Sequence, residues 1–68
     1  SIMVCLMVDS KDEVDRLCNA ALASGGRKYK DVEDRGFMYG WGFEDPDGHV
    51  WEVGWMDPTH VMPEGDPA

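Results

Sequence analysis

Seven consecutive apolar residues, Ile2-Met3-Val4-Cys5-Leu6-Met7-Val8, stand near the start of a chain of only 68. The run stops at Asp9-Ser10 and is rich in branched aliphatics, so it predicts a strand covered on both faces. Successive side chains on a strand point to opposite faces. One face then carries Ile2, Val4, Leu6 and Val8, and the other carries Met3, Cys5 and Met7, all sulfur-bearing. The branched set suits rigid packing under a helix. The sulfur set suits a wall facing a partner or a cavity, because such side chains are soft and adaptable. A strand needing two covers is demanding in a chain this short, which buries only about 60% of the surface its unfolded form exposes. Small domains usually add disulfides, a metal or a partner chain.

The rest of the chain supplies one cover. Ser10-Lys11-Asp12-Glu13 matches a capping box, with Ser10 at the N-cap and Glu13 three residues on. Val14, Leu17, Cys18, Ala21 and Leu22 follow at helical spacing, forming a single apolar stripe. Gly25-Gly26 ends the pattern, so a helix is expected over about residues 11–24. The polar segment Arg27–Asp34 reads as a short edge strand, and Asp34-Arg35-Gly36 as a turn. Phe37–Phe43 and His49–Met56 read as two further strands, joined by the tight turn Asp45-Pro46-Asp47-Gly48. The expected fold class is α+β: a single βαβββ module over residues 1–58, followed by an acidic, Pro- and Gly-containing tail over residues 59–68 that is loosely held.

On the last strand, Trp51, Val53 and Trp55 share a face and are expected to pack on Val14, Leu17 and Leu22. Val50, Gly54 and Met56 lie with Glu52 on the other face. One helix covers one face of the sheet, and nothing in the chain covers the second. An exposed apolar face of that size aggregates or takes a partner. Either a second copy covers it, as a homodimer, or a missing N-terminal module does. The chain opens on Ser1 rather than Met, as a trimmed or partial chain would.

Charge narrows the partners. Fourteen acids against six bases leave a net charge of −8. That argues against nucleic acid, whose phosphates require clustered Lys and Arg, and against anionic membrane surfaces. No apolar run approaches the ~20 residues of a membrane span, and the first run lacks the basic flank of a signal peptide. Cys5 and Cys18 sit in apolar stretches and read as small hydrophobes in a reducing, cytoplasmic compartment. Asp12, Asp15, Asp31, Glu33 and Asp34 read as solvated surface. No Ser-His-Asp arrangement, phosphate-cradling loop or zinc-finger spacing is present.

The segment Phe43-Glu44-Asp45-Pro46-Asp47-Gly48-His49-Val50-Trp51-Glu52-Val53 resembles the closing hairpin of the vicinal-oxygen-chelate superfamily: the glyoxalases, bleomycin-resistance proteins and extradiol dioxygenases. Their modules commonly end in F-x-D-P-D-G-x-x-x-E. Asp9–Val14, Gly36–Gly40 and Trp51–Pro58 are also similar to the C-terminal half of predicted lactoylglutathione lyases, which hold two such modules. The resemblance implies that a second module pairs with this one to close a curled sheet around a cup. A divalent metal (Zn, Ni, Mn, Fe or Mg) sits there, held by His, Gln or Glu from first and last strands. Glu52 then matches the last-strand ligand, with a further catalytic role as proton-transfer base. The first-strand ligand, usually His, falls at about Met3.

The residues themselves leave alternatives. An acid amid an apolar strand needs a partner, so Glu52 either binds a metal, pairs with a Lys or Arg across a dimer, or faces water. His49 lies three residues from Glu52 and so on the opposite face; it reads as closing the hairpin, and His60 as a tail residue. The expected cup lining is Met3, Cys5, Met7, Tyr39, Trp41 and Val50, with Tyr39 and Trp41 equally suited to a dimer core. Three functions compete: metal-dependent lyase, isomerase or dioxygenase chemistry on a small oxygenated substrate; metal-free binding or sequestering of a small-molecule ligand; and a truncated half whose partner carries the site.

Overall fold

The helix begins where its cap stands in the sequence. In the computed structural model, which describes residues 3–60, the Ser10 side chain accepts a hydrogen bond from the Glu13 amide at 3.1 Å. Helix α1 runs Lys11–Ala23, with Asp12 and Glu13 in its first turn, where carboxylates meet the positive end of the helix dipole. It ends as Gly25 turns to a positive φ of 106°, a left-handed conformation that glycine adopts without steric cost. No described helix is long and apolar enough to cross a membrane.

Four strands form one sheet: β1 (Met3–Met7), β2 (Arg27–Asp34), β3 (Met38–Glu44) and β4 (Val50–Met56). Their spatial order is β1-β4-β3-β2; β1 runs parallel to β4, and the other neighbours are antiparallel. The expected βαβββ order is therefore present. The polar strand β2 lies at an edge as expected. Its pairing with β3 shifts register between Lys28 and Lys30 and again between Lys30 and Glu33, irregularities that discourage further pairing at an edge. Beyond residue 60 the expected tail lies outside the described residues, as does Ile2.

The hairpin β3–β4 is tied by one aspartate. Asp45 Oδ1 accepts from the amides of Asp47 at 3.0 Å and His49 at 2.9 Å, while Oδ2 accepts from the Trp51 indole at 3.0 Å. These bonds, the Trp51 indole foremost, hold the Asp45 carboxyl below its ordinary range. Gly48 supplies the positive φ, 90°, that the turn requires. His49 closes the hairpin through its backbone, as expected, its carbonyl accepting from Asp45 N–H at 2.9 Å.

The core lies between α1 and the sheet: Val14, Cys18, Trp41, Phe43 and Val53 are buried, with Leu17, Leu22, Tyr39, Trp51 and Trp55 packed around them. Trp51, Val53 and Trp55 thus face Val14, Leu17 and Leu22 as anticipated. Tyr39 and Trp41 do not behave as anticipated. Their cross-strand partners are Trp55 and Val53, which face the helix, so both join the core and leave the opposite face. Aromatic side chains with a polar tip need an acceptor when buried. Asp15, expected to be solvated, provides it: its Oδ1 accepts from the Tyr39 hydroxyl at 2.7 Å and from the Trp41 indole at 2.9 Å. The hydrogen bond to Asp15, with burial second, pushes the Tyr39 phenol up to about 12. The Cys18 thiol, buried beside this clasp, is pushed up to about 11, by burial first and Asp15 second. It is a packing residue rather than a nucleophile.

The two-sided cover expected for β1 is not met among the described residues. Helix α1 lies over β3 and β4, reaching β2 only marginally. Strand β1 is an edge strand, and Met3, Leu6 and Met7 are 53%, 40% and 65% exposed. Of the branched set, Val4 and Val8 are half-buried while Leu6 is not covered.

Two outcomes follow for the closed side. Asp15→Ala leaves the Tyr39 hydroxyl and Trp41 indole without their acceptor, and denaturant unfolding should show a loss of about 1–3 kcal/mol, against under about 0.5 kcal/mol for Asp31→Ala, whose side chain is 92% exposed. In an alkaline titration Tyr39 ionises near 12 rather than 10. Its stabilisation is complete below pH 10 and lost as pH rises toward 12; Asp15→Ala returns the midpoint toward the ordinary value. The Asp45 carboxyl carries the opposite sign. Its contribution is present above the ordinary carboxylate range and disappears as pH falls through its lowered folded value, so Asp45→Ala should flatten the acid limb of the stability curve measured by circular dichroism.

Candidate functional site

The face away from α1 collects the residues of opposite parity. Val50, Glu52, Gly54 and Met56 of β4 pair with Glu44, Gly42, Gly40 and Met38 of β3, and Met3, Cys5 and Met7 of β1 pair with Val50, Glu52 and Gly54. Lys30 and Glu33 of β2 stand opposite Gly42 and Gly40. Together they form an open hollow of about 180 Å³, lined by Cys5, Met7, Lys30, Glu33, Met38, Gly40, Glu52, Gly54 and Met56 among others. The sulfur-bearing parity of β1 therefore faces this hollow, as the alternation predicts.

Glu52 lies midway along β4 on this face, its side chain about one-third exposed (32%). Its nearest cation is Lys30, whose ammonium lies 3.9 Å from Oε2. The ion pair anticipated across a dimer is thus made within the chain. Lys30 also reaches Glu33 Oε1 at 3.5 Å, and Arg35 Nε donates to Glu33 Oε2 at 2.8 Å. The Arg35 hydrogen bond and charge, then Lys30, hold the Glu33 carboxyl below its ordinary range. Glu33 was expected on the solvated surface and instead rims the hollow. These pairs remain in contact with water, so they orient side chains more than they stabilise the fold.

Among the described residues, no group of three or more His, Cys, Asp or Glu comes together as a metal would require. The residue beside Glu52 on β1 is Cys5, an exposed free thiol; Met3 lies one pair along, beside Val50. His49 closes the hairpin, and His60 stacks on Phe37 with ring centroids 4.2 Å apart. Two carboxylates, Glu33 and Glu52, set on either side of the Lys30 ammonium do not make a metal centre. Any centre would need further donors from a second module.

A second hollow, of about 350 Å³, opens on the helix side between Leu6, Leu17, Ala21, Phe43, Pro46 and Trp51. It is apolar, and the Asp45 carboxylate at its edge is already committed to the hairpin. Chemistry-bearing side chains concentrate on the open face. Of the residues expected to line a cup, Met3, Cys5, Met7, Val50 and Glu52 lie on this face by pairing, Cys5, Met7 and Glu52 among them line the hollow, and the Tyr39 and Trp41 side chains turn to Asp15 on the helix side. Lys30, Glu33 and Met38 were not anticipated there. The parity of Met38 with Gly40 was available, whereas the register of β2, broken twice, was not.

The architecture has close counterparts. A family model, the Glyoxalase/Bleomycin resistance protein/Dioxygenase superfamily, matches residues 3–53. A hypothetical protein from S. aureus is similar at 31% identity and a TM-score of 0.69, over 81% of this chain and 49% of that one. A glyoxalase/bleomycin resistance protein/dioxygenase family enzyme from Burkholderia phytofirmans PsJN matches at 24% identity and a TM-score of 0.70, over 82% and 45%. A glyoxalase-related enzyme from Fulvimarina pelagi matches at 23% and 0.72, over 93% and 46%. No curated protein matches. The chain spans about half the length of these solved chains. With its helix over one face of a mixed four-stranded sheet, it belongs to the glyoxalase/bleomycin resistance protein/dioxygenase superfamily.

Proposed function

We propose that this chain supplies one wall of a small-molecule-binding cup, completed by a second module: another copy of the chain or the preceding half of a longer one. The observation that carries this reading is the makeup of the open face. Soft thioether and thiol side chains (Met7, Met38, Met56, Cys5) surround a hollow whose charged groups converge on Lys30. Such a surface holds an apolar body while a few polar groups fix its orientation. The edge strand β1, exposed at Met3, Leu6 and Met7, is where a partner would add cover. Solved relatives about twice as long as this chain support a two-module assembly.

A second reading, metal-dependent lyase, isomerase or dioxygenase-type chemistry on a small oxygenated substrate, rests on the position of Glu52, midway along β4 on this face. A metal there would act as a Lewis acid. It draws less support, because the two carboxylates of this face, Glu33 and Glu52, both have Lys30 as a partner.

Two measurements test these readings. In sedimentation equilibrium the chain should run at twice its own mass or more; a cooperatively folded monomer at micromolar concentration overturns the two-module cup. After metal-replete expression, the assembled protein should hold no stoichiometric divalent ion by plasma mass spectrometry. Metal that is present and lost in Glu52→Ala reverses the order of the two readings.

A further inference from the structure

Three glycines interrupt the open face, and only two of them are required by the backbone. A Cβ at Gly40 would lie 2.7 Å from the Val53 carbonyl oxygen and 3.1 Å from Gly54 Cα; one at Gly42 would lie 2.9 Å from the Trp51 carbonyl oxygen. No side chain fits there without moving a neighbouring strand. Gly54 differs. Its φ is not positive, and a Cβ would meet Met7 Sδ at 3.6 Å and the Tyr39 carbonyl oxygen at 3.7 Å, ordinary contact distances. Glycine inside a strand weakens it by entropy and lost packing, and often marks where a ligand or another backbone approaches closely. The fold would accept alanine at 54, yet the chain carries glycine in the middle of its last strand.

Gly54 pairs directly with Gly40, so a patch of bare backbone two strands wide forms the floor of the hollow. Met7 leans over it from β1, and Met38 and Met56, paired with each other, close one end. Glu52 and Lys30 stand toward the other end. A floor without side chains, walled by thioethers, accepts a flat object: sulfur packs favourably against aromatic rings, and a ring can lie against exposed peptide planes. The hollow measures about 180 Å³; an apolar cavity of about 150 Å³ takes one benzene ring.

We infer that Gly54 is a specificity-determining residue, and that the ligand places a flat aromatic ring bearing a hydrogen-bond donor on the Gly40–Gly54 floor, its donor toward Glu52. This rests on the cup reading above and narrows its ligand class. The ring lies between Met7 and the Met38–Met56 pair, and a methyl group at position 54 would lift it from the floor.

Indole is the probe, as a flat ring with one N–H, titrated into the full assembled protein carrying ¹³C-labelled methionine methyl groups. The expected result is a saturable shift of the Met7, Met38 and Met56 methyl signals. In Gly54→Ala the affinity should fall by about tenfold or more, as overpacking of a fitted site does, with the melting temperature unchanged or higher. Gly40→Ala, whose Cβ meets backbone, should melt lower. Undiminished indole binding by Gly54→Ala overturns the floor and leaves the cup standing. A Gly54→Ala protein that melts lower than the parent also overturns it, because glycine would then serve the fold. So does Gly54→Ala dissociating the assembly while indole binding persists, since the glycine would then serve a partner's backbone. If the parent shows no methyl shifts with indole, the floor falls, while the cup stands or falls with the sedimentation result.

Discussion

A four-stranded sheet has two faces, and the described residues bring one helix. Apolar side chains on both sides of β1, and on both sides of β4, must leave water for the sheet to be stable in isolation. Helix α1 covers β3 and β4 on one side, and β1, at the edge, receives little cover on either. The open face and the exposed edge are two consequences of this one shortfall. On the proposed reading the same shortfall serves binding: a partly apolar surface left open is what a cup closed by another module would require.

The closed side keeps that surface in shape. Asp15 gathers the tips of Tyr39 and Trp41, and Asp45 ties the turn to Trp51. Each aspartate uses its carboxylate oxygens on groups that otherwise lack acceptors. Both act on the β3–β4 hairpin, the one that carries Glu52, Gly40, Gly54 and the Met38–Met56 pair on its other face. The alternation of a strand couples the two faces. A hairpin locked to the helix through odd positions presents its even positions in a settled array. Preorganisation of the open face thus comes from hydrogen bonds made on the opposite side of the sheet.

The charges of the open face form a small set of unlike neighbours rather than a single-sign field. Lys30 lies between Glu33 and Glu52, and Arg35 attends Glu33. In a chain carrying −8 overall, placing two of its few cations here offsets repulsion between the two carboxylates. Among the described residues it also leaves Glu52 with a long, solvent-touched cation partner at 3.9 Å. On the proposed cup reading, a ligand donor would compete for that carboxylate without breaking a tight pair.

Local signals were legible in the sequence because they depend on short-range geometry. Ser10 with Glu13 set the helix start, Gly25-Gly26 its end, and Asp45-Pro46-Asp47-Gly48 the hairpin; the family resemblance lay in that same turn and the strand after it. Alternation grouped Met3 with Cys5 and Met7, and Val50 with Glu52, since parity within one strand is fixed by the pleat. Parity between strands is not, because it depends on pairing register. That is why the sequence does not show Tyr39 and Trp41 turning to the helix, Asp15 serving their two part-buried tips, or Lys30, on a strand with two register shifts, standing beside Glu52. From its sequence alone, this chain determined its elements, their order and the shortage of cover. Tertiary structure decided which face each neighbouring strand turns to the helix, because only the hydrogen-bonded register aligns one strand's alternation with the next.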